Sequence, residues 1–369
     1  MFRVYFGAAA LAAGIAMSCA YAAADEDDFD SGIVYLESNS ISANTVLVYR
    51  RDAQGGLTAL SPVPTGGIGT GAGLGNQGAM ALSEDGGFLV AVNAGSNDFT
   101  LFAVRGAGLV PLSKTASGGS TPVSVAVHED LIYVLNQGSD SITGFRVGRG
   151  GVVTAIEGST RQLSATGVGA AQVAISPDGR NIVVTEKATQ KIDAFSLDAN
   201  GLPSATSRTI TAGAATPFGF AFDGSRTLIV SQATGPAPGS SVESYRLDAT
   251  GTPTPVNGAI QTGQKGACWV VISPSGRYAY SADTGTSFIS GFEVGPGGAL
   301  TLLASASIST GAGSKPLDEA IGGDGRFLYL LDGGNHALLT FARGPGGSLK
   351  SLGTPVAGLP AGATGLVAR

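Results

Sequence analysis

Short apolar runs and polar, glycine-bearing turns alternate along most of this sequence. In residues 170–187, AAQVAISPDGRNIVVTEK, small apolar residues lead into the turn Ser-Pro-Asp-Gly-Arg, and the chain returns through Ile-Val-Val to a charged stop. Similar stretches begin at residues 78, 123, 218, 268 and 317. Their alternation and their β-branched or aromatic residues predict strands rather than helices. Each stretch is therefore predicted to be a β-hairpin.

A second glycine-bearing hairpin follows each of these stretches, such as DAFSLDANGLPSA after residues 170–187. One further copy, LVYRRDAQGGLTAL, occupies residues 47–60 and precedes the first stretch. A repeat therefore holds four strands, and seven repeats of about 49 residues fall in the length range of propeller blades.

The two ends of the chain complete this count. The first repeat begins at GIVYLES (32–38) and lacks an inner strand, whereas AGATGLVAR (361–369) has the pattern of an inner strand without a repeat of its own. We predict an all-β fold over residues 32–369: a seven-bladed β-propeller of four-stranded blades. The C-terminal strand closes the ring and removes a free sheet edge.

One position in the first hairpin of the repeat is small. Inner strands converge on the axis of a propeller, where small side chains fit the taper, so this position is predicted to face the axis for structural reasons. It is occupied by Ala81, Ala126, Ala174, Ala221 and Ala320, with Val271 as the exception.

Residues 1–24 have the pattern of a secretory signal peptide. Arg3 precedes a small-apolar run, and the alanines around Tyr21 offer a cleavage site. The apolar run is shorter than the roughly 20 residues of a membrane span. We expect export to the periplasm or the medium, with residues 25–31 as an acidic N-terminal tail.

Charge and cysteine content exclude several classes of partner. Removal of residues 1–24 takes away one of the 21 Lys and Arg residues and none of the 27 Asp and Glu residues, which leaves a net charge of −7. That acidity argues against a nucleic-acid partner or an anionic membrane surface. Cys268 is then the remaining cysteine, so no intramolecular disulfide is expected. We expect a monomer.

Sequence motifs for cofactors and metals are missing. The glycine-rich GIGTGAGLG (67–75) lacks the spacing of a dinucleotide-binding loop and precedes a strand, so it is predicted to be a connecting loop. Two histidines in the whole sequence make a His-based zinc site improbable. We therefore expect neither a cofactor nor a metal.

The residue that ends the second strand of each repeat is polar. Because the first strand descends along the channel and the second returns, these residues are expected on the same face as the start of the first strand. Asn and Asp often end strands by bonding the backbone, but Glu is a poor turn residue. Glu186, facing other carboxylates across a narrow mouth, is expected to have a raised pKa suited to acid–base work. The seven residues are Glu37, Asn93, Asn136, Glu186, Gln232, Asp283 and Asp332.

This face supplies the candidate site. Trp269, the single tryptophan, is either a plug of the channel or a flat platform for a ligand. Lys187 either steers a substrate carboxylate or solubilises the rim. The candidates for catalysis are Glu186, Asp283 and Asp318, and those for substrate binding are Gln172, Trp269, Lys187, Asp332 and His336.

The turns ISPDGR, ISPSGR and LSEDGG, followed by VVTEK or AYSAD, resemble those of the seven-bladed β-propeller lactonase family. The family includes propeller-type 6-phosphogluconolactonases and carboxy-cis,cis-muconate cyclases, and the resemblance covers residues 31–369. It implies an enzyme that opens or forms the lactone of a small organic acid, with Glu186 at the position of a family glutamate. However, Ala171-Gln172 stand where the resemblance implies an Arg-His pair. The alternative is a non-catalytic exported propeller that binds a ligand or a protein partner on its top face.

Overall fold

Seven antiparallel sheets follow the seven repeats in the computed structural model, which describes residues 31–234 and 239–369. In six sheets the first strand of the repeat lies innermost and the next strands along the chain pair outward in order, whereas in the remaining sheet the C-terminal strand lies innermost. The prediction of a seven-bladed propeller with four-stranded blades is confirmed. The signal peptide and nearly all of the acidic tail fall on residues 1–30, outside the described residues, and stay predictions.

The strands of blades 1 to 4 run from the axis outward, and the outer strands of blades 1 and 3 are each in two pieces. Blade 1 holds β32 (Thr364–Ala368), β1 (Gly32–Glu37), β2 (Thr45–Arg51), β3 (Leu57–Ala59) and β4 (Val63–Pro64); blade 2 holds β5 (Met80–Leu82), β6 (Phe88–Asn93), β7 (Asp98–Arg105) and β8 (Gly108–Ala116); blade 3 holds β9 (Pro122–His128), β10 (Leu131–Asn136), β11 (Ser141–Val147), β12 (Val153–Ala155) and β13 (Arg161–Gln162); blade 4 holds β14 (Ala170–Ile175), β15 (Asn181–Glu186), β16 (Lys191–Ser196) and β17 (Arg208–Thr211).

Blades 5 to 7 follow the same plan, with divided outer strands in blades 5 and 7. Blade 5 holds β18 (Pro217–Phe222), β19 (Thr227–Gln232), β20 (Ser241–Leu247), β21 (Pro253–Pro255) and β22 (Ile260–Gln261); blade 6 holds β23 (Ala267–Ile272), β24 (Tyr278–Asp283), β25 (Phe288–Val294) and β26 (Leu300–Ser309); blade 7 holds β27 (Pro316–Ile321), β28 (Phe327–Asp332), β29 (Ala337–Arg343), β30 (Leu349–Ser351) and β31 (Val356–Ala357). Short 3-10 turns lie at Gln137–Ser139, Arg149–Gly151, Pro296–Gly298 and Pro345–Gly347.

The C-terminal strand closes the ring as predicted. β32 pairs antiparallel with β1, and Tyr35 lies opposite Val367. The pairing continues past the strand end, because Ile33 and Arg369 exchange backbone hydrogen bonds of 3.0 and 2.9 Å. Leu366 is buried beside Leu331 of blade 7, so β32 also packs against the last blade.

The hydrophobic core lies between neighbouring blades. Side chains of a strand point alternately to the two faces of its sheet, so each blade can contact both of its neighbours. Val90 and Val92 of blade 2, for example, share one cluster with Ile132 and Val134 of blade 3. The small inner-strand position lines a central cavity of about 420 Å³, as expected for residues nearest the axis.

We call the face where the second strand of each blade ends the upper face. The connection between blades 1 and 2, residues 65–79, lies across the channel at this end, and we call it the strap. Gln77 pairs with the backbone of Val270 in blade 6: its Nε2 donates to the carbonyl at 2.8 Å, and its Oε1 accepts from the amide at 3.0 Å. The backbone amide of Gln77 donates to Ala171 in blade 4 at 3.1 Å. A Cβ on Gly219 would lie 1.9 Å from Oε1 of Gln77, so this glycine leaves the space that the strap occupies.

Ring closure predicts a large loss of stability when residues 361–369 are deleted, because β1 then loses its inner partner and the ring has open edges. We expect aggregation or a marked fall in the melting temperature, measured by circular dichroism. Leu366→Ala should cost about 2–5 kcal/mol as a buried truncation, whereas Val110→Ala, at a side chain that is 48% exposed, should stay within about 0.5 kcal/mol. A truncated protein that melts like the full chain would show that another contact closes the ring.

Candidate functional site

The seven polar residues that end the second strands are buried inside the blades. Each is at most 1% exposed, and none lines any of the cavities described below. Asp283 accepts a 2.6 Å hydrogen bond from Ser290 of the next strand, and Asp332 accepts backbone amides of Lys315 and Gly334 at 2.9 and 3.0 Å. The expectation that Glu186 faces other carboxylates across a narrow mouth is wrong, because its side chain is fully buried. Asp332 thus fastens its strand end to neighbouring connections, whereas Asp283 fastens its strand end to the next strand of the same blade.

Glu186 is held by hydrogen bonds beneath a connecting segment. Its carboxylate accepts the amide of Ser164 at 3.0 Å, the hydroxyl of Ser164 at 2.5 Å and the hydroxyl of Thr189. Burial raises the pKa of Glu186, but these hydrogen bonds outweigh it, and the pKa lies below its usual range. The expected raised pKa of Glu186 is therefore wrong. Burial and the neighbouring Glu186 carboxylate instead raise the pKa of Asp193 to about 7.

Gln172 connects two inner strands. Its Nε2 donates to the carbonyl of Phe220 at 2.9 Å, and its Oε1 accepts the amide of Phe220 at 2.7 Å. Ser124 connects blade 3 to blade 4 by a single hydrogen bond, in which its hydroxyl accepts the amide of Val173 at 3.1 Å. The amide of Gln172 is thus already used in the junction of blades 4 and 5, although its side chain borders the central cavity.

Lys187 and His336 lie at the upper face without reaching a cavity described here. The ammonium of Lys187 donates to the carbonyl of Gly75 in the strap and lies 5.0 Å from the ring centroid of Phe218. Burial lowers the pKa of Lys187. His336 is exposed at a positive φ of 50°, and its carbonyl accepts the amide of Leu359 at 2.9 Å. Lys187 therefore anchors the strap in this structure.

Trp269 and Asp318 come together in the wall of an upper cavity of about 250 Å³ under the strap. The indole Nε1 of Trp269 donates to the carbonyl of Asn76 at 2.8 Å, and its ring centroid is 4.9 Å from that of Phe218. The strap, more than Trp269, covers the upper end of the channel. The wall consists of Gly73, Leu74, Gly75, Asn76, Trp269, Leu317, Asp318, Leu331, Ala363 and Thr364.

Asp318 carries a strongly perturbed carboxyl group. It is 3% exposed and borders both the upper and the central cavity. Burial raises its pKa to about 7, although the amides of Leu366 and Glu319 donate to its two oxygens at 3.0 Å each and act in the opposite direction. Both protonation states of Asp318 are therefore populated near neutral pH, as acid–base chemistry requires.

Two further buried carboxyls, Asp283 and Glu319, have raised pKa values, and the charges of Asp283 and Asp318 both act on Glu319. Burial raises the pKa of Asp283 to about 8. Burial, followed by the charges of Asp283 and Asp318, raises the pKa of Glu319 well above its usual range. Glu319 escaped the sequence analysis because it follows Asp318 directly, and the available signal was a second acid within the apolar strand PLDEAI.

The lower face carries a separate groove of about 580 Å³. His128 borders it and lies 3.0 Å from Glu84, and the guanidinium of Arg146 pairs with Asp130. Among the described residues, no group of three or more His, Cys, Asp and Glu side chains is placed to hold a metal ion. Within residues 31–234 and 239–369, no helix has the length and apolar character of a membrane span.

Comparison with known proteins identifies the family. The profile described as "Lactonase, 7-bladed beta-propeller" matches residues 41–161 and 152–270, which together span more than half of the chain. This chain belongs to the seven-bladed β-propeller lactonase family. The resemblance of its turn sequences to that family is thereby confirmed. No curated protein matches the sequence significantly.

Solved structures share the architecture of this lactonase-family propeller. A protein from Bacteroides uniformis, proposed to be a 6-phosphogluconolactonase, superposes with a TM-score of 0.73 at 20% identity over 91% of this chain and 99% of its own. A protein from Bacteroides fragilis, also proposed to be a 6-phosphogluconolactonase, superposes with a TM-score of 0.69 at 20% sequence identity, over 92% of this chain and 99% of its own. The periplasmic gluconolactonase of Pseudomonas aeruginosa superposes with a TM-score of 0.71 at 19% sequence identity, over 91% of this chain and 98% of its own. At these identities the likeness establishes the fold.

The buried carboxyls predict that the protein is more stable at pH 5 than at pH 8.5. In the folded state Asp193, Asp283 and Asp318 keep a proton up to a pH of about 7 to 8, whereas unfolded carboxyls lose it near pH 4. The stability that these carboxyls contribute to the folded state is fully present below about pH 4 and is lost as the pH rises through 7 to 8. We expect the melting temperature to fall by at least about 3 °C between pH 5 and pH 8.5.

Asp283→Asn should make the difference in melting temperature between pH 5 and pH 8.5 smaller, because it removes one of these ionisable groups. The matched control is Glu157→Gln at an exposed residue, which should leave the difference unchanged. A melting temperature that rises from pH 5 to pH 8.5 would contradict the assigned protonation.

Proposed function

We propose that this lactonase-family propeller opens, or forms, the lactone of a small organic acid after export, and that Asp318 is its acid–base group. The observation that carries the proposal is the upper cavity, where a carboxyl with a pKa of about 7 and Trp269 share one wall. A perturbed carboxyl in a largely apolar pocket is a common signature of an active site. The family membership supports the reaction class.

Asp318 can serve both proton transfers of lactone hydrolysis. As a carboxylate it removes a proton from the water that adds to the lactone carbonyl carbon. The resulting carboxylic acid then gives that proton to the ring oxygen as the C–O bond breaks, which yields the open hydroxy acid. Trp269 offers a flat apolar face against which the lactone ring can pack.

The other carboxyls proposed from the sequence have less support at the substrate. Glu186 and Asp283 line neither the upper nor the central cavity, and Glu186 has a lowered pKa. Lys187 and Asp332 are bonded to connecting segments, and Gln172 is bonded to blade 5. Their roles in catalysis or binding remain predictions.

A non-catalytic propeller that binds a ligand or a protein partner on its top face is the second candidate. It is favoured by the use of Gln172, Lys187 and Asp332 in holding the blades and the strap. In addition, Ala171-Gln172 replace the Arg-His pair that the family resemblance implies.

Asp318→Asn should lower kcat/KM at least about 100-fold, the usual scale of a general acid–base group. The assay follows acid release by pH-stat on a panel of γ- and δ-lactones. The wild-type rate should rise with pH and level off above about pH 7, because the carboxylate of Asp318 is the base.

The matched control is Glu37→Gln, a buried carboxyl in blade 1 that lines none of these cavities and bonds Asn44 at 2.7 Å. It should retain the wild-type rate in the folded protein. If the wild type turns over no lactone, or if Asp318→Asn keeps full activity, the catalytic proposal fails. The former result favours the binding propeller.

A further inference from the structure

The wall of the upper cavity indicates which lactones it accepts. We propose that the site takes uncharged lactones bearing a short alkyl chain, in preference to sugar lactones and carboxylated lactones. This inference rests on the proposed function, since it concerns the same cavity, and it follows from the polarity, the charge and the size of the wall.

The cavity is mainly apolar. Leu331, Ala363 and Trp269 are 2%, 4% and 7% exposed, and Leu74 and Leu317 are half-buried. These side chains come from the strap, from blades 6 and 7 and from the segment that leads into β32. Burial of an alkyl chain against such a wall contributes about 0.8 kcal/mol per CH₂ group.

The polar groups in the wall already have partners. The indole N–H of Trp269 donates to Asn76 at 2.8 Å. The side-chain amide of Asn76 donates to the carbonyl of Val123, and its Oδ1 accepts the hydroxyl of Thr364 at 3.3 Å. A sugar lactone would lose the water around its hydroxyls and find few free donors in return, which costs about 1–3 kcal/mol for each buried unpaired group.

The residues that line the cavity include no cation. Lys187 reaches the strap but donates to the carbonyl of Gly75 and rests on Phe218. A carboxylate or phosphate in the cavity would instead meet Asp318, the one charged side chain of the wall. Like charges at short range in a poorly hydrated site repel strongly, so the electrostatics oppose anionic lactones.

The volume of about 250 Å³ lies below the roughly 300–1,000 Å³ of sites for drug-sized ligands. A single lactone ring with a short side chain is therefore the appropriate size. γ-Nonalactone represents the proposed class, D-glucono-1,5-lactone represents a polar neutral lactone, and 5-oxotetrahydrofuran-2-carboxylic acid represents an anionic one.

The test is a titration of tryptophan fluorescence with these three compounds, since Trp269 is the single tryptophan and lines the cavity. We expect a saturable change with γ-nonalactone and an affinity at least tenfold higher than for freshly dissolved gluconolactone or the carboxylated lactone. Trp269 reports binding without requiring turnover.

Leu317→Lys places a cation in the wall of the cavity. This variant should bind γ-nonalactone at least tenfold more weakly than the wild type and should bind the carboxylated lactone more tightly. The control is Ile41→Lys, at a side chain that is 67% exposed and outside the cavity, which should change neither affinity. If Leu317→Lys does not fold, Leu317→Ala tests the same wall, and we expect γ-nonalactone to bind at least threefold more weakly.

The inference is overturned if γ-nonalactone gives no saturable change, if either polar lactone binds more tightly, or if the Leu317 variants bind like the wild type. The proposed function is judged separately by pH-stat turnover. If the protein hydrolyses a polar or anionic lactone but does not bind γ-nonalactone, the proposed lactonase activity stands and the proposed substrate class is wrong. If the protein binds γ-nonalactone but turns over no lactone, the proposed ligand preference of the cavity stands and the proposed lactonase activity is wrong.

Discussion

The inner strand of each blade has no further strand to pair with on the side of the axis, so its free backbone groups need other partners. Buried amides and carbonyls are costly when unpaired. Here the preceding blade supplies side chains at several junctions: Ser124 accepts the amide of Val173, Gln172 pairs with Phe220, and Asp318 accepts the amide of Leu366. This requirement explains why the polar residues around the axis hold blades together.

The strap follows from the same requirement at the junction of blades 5 and 6. Gly219 stands where Gln172 stands one blade earlier, and it has no side chain to reach Val270. Gln77 enters from the strap and makes the two hydrogen bonds that the missing side chain would have made. The upper end of the channel is covered as a consequence, and the upper cavity forms between the strap and the inner strands.

The sequence predicted the blades, the strand order, the closing strand and the small residues at the axis, because these features recur with a fixed period. It did not predict the side-chain partners. Gln77 lies in a glycine-rich loop without periodicity, and its partner Val270 is 193 residues away. The lowered pKa of Glu186 depends on Ser164 in the connection that enters blade 4, and the pairing of a strand end with such a segment leaves no pattern in one chain.

At one junction the connecting group is ionisable, and the proposed reaction depends on that difference. Ser124 and Gln172 satisfy their neighbours as neutral groups, whereas Asp318 brings a carboxyl whose pKa burial raises to about 7. Ala171-Gln172 occupy the position where the family resemblance implies an Arg-His pair, and both are engaged: the carbonyl of Ala171 accepts the amide of Gln77, and Gln172 bonds Phe220. The proposed proton donor and acceptor therefore lies at the junction of blades 7 and 1, in the same cavity wall as Trp269, and not in blade 4.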